Sequence, residues 1–419
     1  MYMFKKNLFP ILILLLFISF CSLQPDTKIR VHPQESDVKP SYFKFYEAVL
    51  PTLNGKKILL VTNPSGIGNN PEFLKSEFKK NGAKITHLIG LEHGFLGLEE
   101  DFSQTPVTID TLFNAPIYHI YRLKKNELAN LISEVDSIVF DVQDMGMRCY
   151  TYLTVLKRLM EQMTSGTKKM IILDHINPAL HIKPTGDTIK PEYENFAGEF
   201  PSLFFTGLTL GESANYYNEI FLSNKVQLQV IPVEKFKRGQ TFEETGLEWH
   251  TPSPNLPNLE SARNYFALVF LEGINVSVGR GTGAPFIYFG APWMKNPEKL
   301  ADYVISQTKS KDYFFSNVFF KPAFGPYKDQ ICRGLRLNLV NRNYNPIELG
   351  YVLIQAFKEI YKQNVSWNSY GKIPHIDYLW GSDSFRKSIN SKIPFHTFHE
   401  SYAQKENEYS EKIKKYFLY

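Results

Sequence analysis

From Lys56 onward, short apolar runs alternate with longer stretches in which apolar residues recur every three or four positions. The runs "KKILLVT" (56–62), "KITHLIG" (84–90), "APIYHIY" (115–121), "SIVFD" (137–141) and "KKMIILD" (168–174) are rich in β-branched and aliphatic residues, and they predict strands. Between them the spacing predicts a helix from near Pro71, with Phe73, Leu74 and Phe78 turned inward and Gly82 as its stop. Two more helices are predicted over 123–133 and 150–163, the second with an apolar stripe of Leu153, Leu156, Leu159 and Met160. Strands alternating with helices imply an α/β fold with a parallel sheet covered on both faces.

The pattern changes further along. In "TLGESANYYNEIF" (209–221), Thr209 and Glu212 have capping-box spacing, which assigns Glu212 to the start of a helix. "HTPSPNLPNLESA" (250–262) is a proline-stiffened loop presenting Ser253 and Asn255. "ALVFLEGINVSVGRGTGAPF" (267–286) reads as a buried strand running into a glycine-rich turn that carries Glu272, Asn275 and Arg280. A second domain is expected to begin here, with helices over 296–307 and 346–363 and a half-buried strand over 334–340. The expected division is a first domain over 46–265 and a smaller one over 266–419.

The N-terminus has a separate logic. Lys5 and Lys6 precede an apolar run from Leu8 to Phe20, which reads as a secretory signal ending at Cys21. Cys21 is the expected lipidation site, although Phe20 stands where a small residue usually precedes such a cysteine. Residues 22–45 are expected to tether the domain, which would face the periplasm or cell surface. The apolar fraction of 43% suffices for a sizeable core, and the net charge of +5 is scattered, which argues against nucleic acid as a partner. Beyond Cys21 only Cys149 and Cys332 remain; they form neither a disulfide framework nor a CxxC metal signature, and a single bridge between them stays open.

Polar residues follow the predicted strands: Asn63, Glu92, Asp141 with Asp144, and Asp174. In a parallel sheet these positions share one rim, where ligands bind. "GIGNN" (66–70) lacks the third glycine of a dinucleotide fingerprint, and "GRGTGAP" (279–285) lacks a following GK[ST], so neither is a phosphate loop. His93, His175 and His250 form no HExxH pattern, and no GxSxG occurs. Carboxylates remain the available tools. Glycoside hydrolysis needs one to protonate the leaving oxygen and a second to act as base or nucleophile, and Glu92, Asp144 and Asp174 could supply them. His93 could orient a substrate or serve the structure.

In order along the chain, "GKKILLVTNPSG", "LEHGF", "FDVQDMGMRCYTY", "LDHINP", "GLTLGE", "TGLEWHTPSPNLPN", "LEGINVSVGRGTGAPF" and "GAPW" resemble the motifs of the NamZ-type exo-β-N-acetylmuramidases, formerly known only as a domain of unknown function. The resemblance runs from about residue 50 to the C-terminus. It implies a Rossmann-like domain and a smaller α/β domain with the active-site cleft between them. It also implies release of N-acetylmuramic acid from the non-reducing end of peptidoglycan-derived muropeptides or disaccharides, without a cofactor or metal. Carried over, the family's EHG motif falls on Glu92, His93 and Gly94, making Glu92 the leading catalytic carboxylate; if the family's usual glutamate at the position of Val278 belongs to the pair, Asp144 would have to serve in its place. The next motif places Gln143, Asp144, Gly146, Arg148, Tyr150 and Tyr152, and the following ones Asp174 with Asn177, Ser253 with Asn255, and Arg280 within Gly279–Thr282. Arg148 or Arg280 would grip the lactyl carboxylate of the sugar and Tyr150 or Tyr152 would stack on it, with Asn63 also lining the site. The chain departs from the family pattern at Leu96, Phe205, Thr206 and Val278, where charged or imidazole side chains are usual, and at His175 and Ile176. Those losses leave open a second reading, a surface protein that binds cell-wall glycans without cleaving them.

Overall fold

In the computed structural model, which describes residues 37–67, 70–99 and 107–419, seven strands build the main sheet. They are β1 (Lys57–Thr62), β2 (Lys84–Gly90), β3 (Val107–Asp110), β4 (Ala115–His119), β5 (Ser137–Asp141), β6 (Lys169–Leu173) and β7 (Gln227–Ile231), in the order β3-β4-β2-β1-β5-β6-β7. All neighbours pair in parallel except β3, which runs antiparallel on β4. Strand β5 is buried along its whole length and β1 after its first residue, as expected for central strands covered on both sides. Leu59, Val61, Ile138 and Phe140 face one core with the helices Lys125–Ser133 and Tyr152–Gln162. Ile58, Leu60, Val139 and Ile171 face the other, under the helix Pro71–Lys80 and the turns around Phe45 and Leu50. The connections leave β1 toward β2 on one side and resume at β5 on the other, so the topological switch point lies between the β1 and β5 ends.

A second, smaller sheet of β8 (Tyr288–Ala291), β9 (Tyr313–Phe320) and β10 (Cys332–Leu339) is antiparallel in the order β8-β10-β9. The helices Pro297–Thr308 and Pro346–Ile360 contribute Leu300, Val304, Leu353 and Phe357 to the same core. Aromatic packing makes the two halves continuous. Trp380, fully buried, lies 5.7 Å from Phe204 and 5.3 Å from Phe385, and Phe385 stacks on Phe270 at 5.2 Å.

Several elements differ from the sequence reading. The run predicted as a strand at 267–271 is the end of the helix Leu259–Leu268 followed by a 3-10 turn, because Asn258 caps that helix by accepting from the Ser261 amide at 2.8 Å. A short buried apolar run fits a helix as well as a strand, and the cap decides it here. Leu74 and Phe78 are buried as expected, but Phe73 is 49% exposed. The capping box is present: Thr209 Oγ1 accepts from the Glu212 amide at 3.2 Å and Glu212 Oε2 from the Thr209 amide at 2.9 Å. Within the expected tether, residues from Ser41 onward form packed helical turns with Phe45 inaccessible. The export signal, Cys21 and the tether up to residue 36 lie outside the described residues. No helix of the described residues is long and apolar enough to cross a membrane.

Candidate active site

Glu92 stands in the turn that follows β2, where His93 (φ 72°) and Gly94 (φ 78°) reverse the chain. Its carboxylate is fixed at one end. Thr151 Oγ1 donates to Glu92 Oε2 at 2.9 Å, the Glu92 amide donates to the Tyr121 phenol oxygen at 2.7 Å, and Tyr121 lies 3.1 Å from Thr151 Oγ1. With the threonine proton committed to the carboxylate, Tyr121 is the donor in that last bond, which closes a ring around Glu92. Oε1 has no protein partner among the described residues. One oxygen is anchored and the other is free, on a side chain that is only half-buried.

A strap over 251–255 crosses the rim at the switch point. Pro252 O accepts from the Tyr152 phenol at 2.8 Å and from Asn63 Nδ2 at 3.4 Å, while Asn63 Nδ2 also meets the Tyr152 oxygen at 2.7 Å. Ser253 Oγ lies 2.9 Å from His93 Nε2, and His93 Nδ1 lies 2.9 Å from the Glu99 carbonyl. A carbonyl can only accept, so Nδ1 carries the proton and Nε2 accepts from Ser253. His93 therefore serves the structure by holding the strap to the Glu92 turn. Asn255, also buried, keeps its Nδ2 without a protein partner.

The glycine-rich turn over 279–285 carries the predicted arginine. A Cβ on Gly279 would sit 2.7 Å from the Ala284 carbonyl, and one on Gly281 would sit 2.6 Å from the Phe324 amide nitrogen, so both positions require glycine. The turn delivers Arg280, whose Nε donates to Glu272 Oε1 at 2.7 Å and whose guanidinium lies 4.9 Å from the Phe286 ring centre. Burial works against its charge, but Glu272 outweighs that, with a smaller contribution from Glu92, and the guanidinium is held above its ordinary pKa. Its two Nη groups make no protein hydrogen bond among the described residues. Tyr150 and Tyr152 meet edge-on at 4.7 Å, Tyr265 lies 6.2 Å from Tyr150, and the buried Tyr150 hydroxyl has no partner.

The structure thus gathers Asn63, Tyr152, Ser253 and the Glu92–His93 turn around one strap, with Tyr150 packed on Tyr152 and Arg280 within reach of the Glu92 charge. Other predicted residues are occupied elsewhere. Arg148 is inaccessible, with Nη1 donating to the Asp187 and Ser202 carbonyls at 2.7 and 3.0 Å and Nη2 to the Trp380 carbonyl at 2.5 Å. Asp174 accepts from Thr209 Oγ1 at 2.7 Å, the Gly211 amide at 2.8 Å and the Tyr419 phenol at 2.9 Å. Asn177 bridges the Leu208 carbonyl and the Ala179 amide. Asp144 is also buried: Oδ2 accepts from the Gly146 amide at 2.6 Å, Oδ1 has no partner, and burial raises its pKa to about 7. The charges of Asp144 and Glu92 both reach Tyr152. Sequence reasoning passed over Thr151, Tyr121 and Tyr265, and it noted Glu272 without assigning it to the site.

The positions that depart from the family pattern fall in different settings. Leu96 is 55% exposed, whereas Phe205, Thr206 and Val278 are buried, and Phe205 packs edge-on against Phe266 at 5.7 Å. His175 Nε2 lies 2.6 Å from Asp141 Oδ1. Among the described residues no cluster of His, Cys, Asp and Glu could hold a metal ion, and Cys149 and Cys332 are free thiols.

Two family models match consecutive parts of the chain: the N-terminal model of the exo-beta-N-acetylmuramidase NamZ over residues 58–260 and the C-terminal model over 263–419. The chain belongs to the NamZ family. A curated relative, the peptidoglycan beta-N-acetylmuramidase NamZ of Bacillus subtilis (strain 168), is 30% identical over 427 residues, covering 99% of this chain and 100% of the relative. Crystal structures of two DUF1343 family proteins from Bacteroides fragilis NCTC 9343 superpose with TM-scores of 0.79 and 0.67. Each is 25% identical, with 92% of this chain and 99% of the other covered. Family membership accounts for both the mostly parallel sheet and the smaller C-terminal domain.

Proposed function

We propose that the chain is an exo-acting glycosidase that releases N-acetylmuramic acid from the non-reducing end of peptidoglycan fragments. On this reading it works outside the cytoplasm and is held at the membrane through Cys21, as the run from Lys5 to Cys21 suggests. The observation that carries the reading is the setting of Glu92, a family-motif carboxylate with one oxygen fixed by Thr151 and the other without a partner among the described residues, whose charge reaches the guanidinium of Arg280, itself held by Glu272 through Nε alone. Such an acid can protonate a departing glycosidic oxygen without first being reoriented. A guanidinium already oriented by Glu272 matches the lactyl carboxylate of muramic acid as a bidentate acceptor. The expected stacking on Tyr152 fails, because its side chain is 1% exposed and its hydroxyl is held by Pro252 and Asn63, so only Tyr150, 8% exposed, is left to offer the sugar an apolar edge.

Two groups compete for the second carboxylate. Asp144 is nearly inaccessible, whereas Glu272 keeps about a quarter of its side chain exposed beside Arg280. The exposure favours Glu272 as the group that meets the developing positive charge. The test is release of free N-acetylmuramic acid from a MurNAc–GlcNAc disaccharide, with Arg280→Met beside the wild type. Loss of a charged hydrogen-bonded pair, worth roughly 1.5–3 kcal/mol, should raise KM by about 10- to 100-fold. Saturable binding of the disaccharide by the wild type without any release would instead support the glycan-binding reading.

A further inference from the structure

At the carboxyl-end rim of the sheet, among residues that follow β1, β5, β6 and β7 and include Asp174, is a cavity of about 450 Å³, within the range of roughly 300–1,000 Å³ usual for ligand sites. The two places are separate. Tyr150 and Tyr152 pack in the core that includes Leu59 and Val61, whereas Tyr42 and Tyr46 of the cavity pack on the core that includes Ile58 and Leu60. The β1 end and the strap lie between them: the Asn63 side chain is bonded to Tyr152 and Pro252, while Ser65, two residues on, lines the cavity.

One wall is aromatic. Tyr42 and Tyr46 meet at 6.4 Å and Tyr46 and Phe73 at 5.5 Å, both edge-on. This explains Phe73, which has core spacing in the helix pattern but stands half-exposed at the cavity. The phenol oxygens of Tyr42 and Tyr46 make no hydrogen bond among the described residues. The floor is polar and built. Gln143 is 5% exposed, its Nε2 donates to the Asp144 and Ile176 carbonyls at 2.8 and 3.1 Å, and its Oε1 has no donor among the described residues. His175 is oriented by Asp141 through Nε2, and its Nδ1 has no partner among the described residues. No Lys or Arg lines the cavity among the described residues.

We propose that this cavity is a second glycan site, taking one or two uncharged sugar rings. The aromatic faces suit the C–H face of a pyranose, the Gln143 oxygen and the tyrosine hydroxyls suit its hydroxyl and acetamido groups, and the lack of cations selects against phosphorylated or carboxylated ligands. The site is independent of the Glu92 chemistry and would hold a glycan chain rather than cut it.

The experiment is calorimetric titration and saturation-transfer NMR with N-acetylglucosamine and its β-1,4 disaccharide, carried out on Glu92→Gln protein so that nothing is turned over. Saturable binding is expected, weakened at least tenfold by Tyr46→Ala and by Phe73→Ala, with N-acetylglucosamine 6-phosphate binding at least tenfold more weakly than the neutral sugar. Phe73 is half-exposed, so its truncation leaves the fold intact, and a thermal melt of each variant checks this. No saturable binding of the neutral sugars would overturn the proposal. So would binding that both aromatic variants leave unchanged, or tighter binding of the phosphorylated sugar. Failure of the Glu92 reading would appear in the release assay and not in these titrations.

Discussion

Replacing Arg148 with methionine separates a structural arginine from a substrate-binding one. Its guanidinium reaches three carbonyls, those of Asp187, Ser202 and Trp380, which belong to two distant loops and the C-terminal half. Truncation leaves these carbonyls short of a donor, at roughly 1–3 kcal/mol each, or about 6 kcal/mol together. Against this stands the cost of burying the cation. Burial lowers the Arg148 pKa from its ordinary value to about 10, which corresponds to about 3 kcal/mol. The net expectation is a loss of about 3 kcal/mol of stability, read as a lower urea midpoint at unchanged slope. KM for the disaccharide should stay within twofold at a temperature where the variant is folded. An unchanged midpoint with a KM raised tenfold or more would refute the reasoning and place Arg148 in the substrate site.

Other expectations follow from the same geometry. Thr151→Val removes the donor to Glu92 Oε2 and should lower kcat by about tenfold, with KM little changed, because one hydrogen bond is worth about 1 kcal/mol and a charged one somewhat more; equal kcat values would show that Glu92 needs no anchor. Tyr419→Phe removes a donor to Asp174 and an acceptor for the Val233 amide, so denaturant unfolding should show a loss of about 1–2 kcal/mol with turnover unaffected. Asp144 binds its proton up to about pH 7 in the fold against an ordinary carboxylate value of 3.8, so between these values the folded state holds more protons than the unfolded one. Its contribution is therefore fully present below about pH 4 and lost as pH rises through 7, and Asp144→Asn should flatten that fall by up to about 1.4 kcal/mol per pH unit in urea titrations. A slope unchanged by the substitution would assign it to other groups, of which Asp174, raised to about 6 chiefly by burial, is the first to examine.

The central strands were legible because β1, β5 and β6 are buried on both faces and so must be apolar throughout. Strand β3 is an edge strand with three exposed residues, and β7 begins with exposed Gln227, so neither carries that pattern. Phe73 has core spacing, and nothing local distinguishes an aromatic facing a cavity from one facing a core. Glu92 stood out because a strand end predicts the rim. Its partners did not, since Tyr121 and Thr151 lie 29 and 59 residues away and the fold alone brings them together. Arg148 illustrates the opposite failure: a motif arginine suggests a ligand, and only the packing shows three carbonyls already in its reach.

The most direct measurement is release of N-acetylmuramic acid from the MurNAc–GlcNAc disaccharide by purified wild-type and Glu92→Gln proteins, with binding of the disaccharide measured in parallel. The account predicts release by the wild type, a fall of at least 100-fold in kcat for Glu92→Gln, and disaccharide affinity within a few-fold of the wild type, since the amide keeps the shape and the Thr151 bond but cannot supply the proton. Equal rates of release by the two proteins would contradict it.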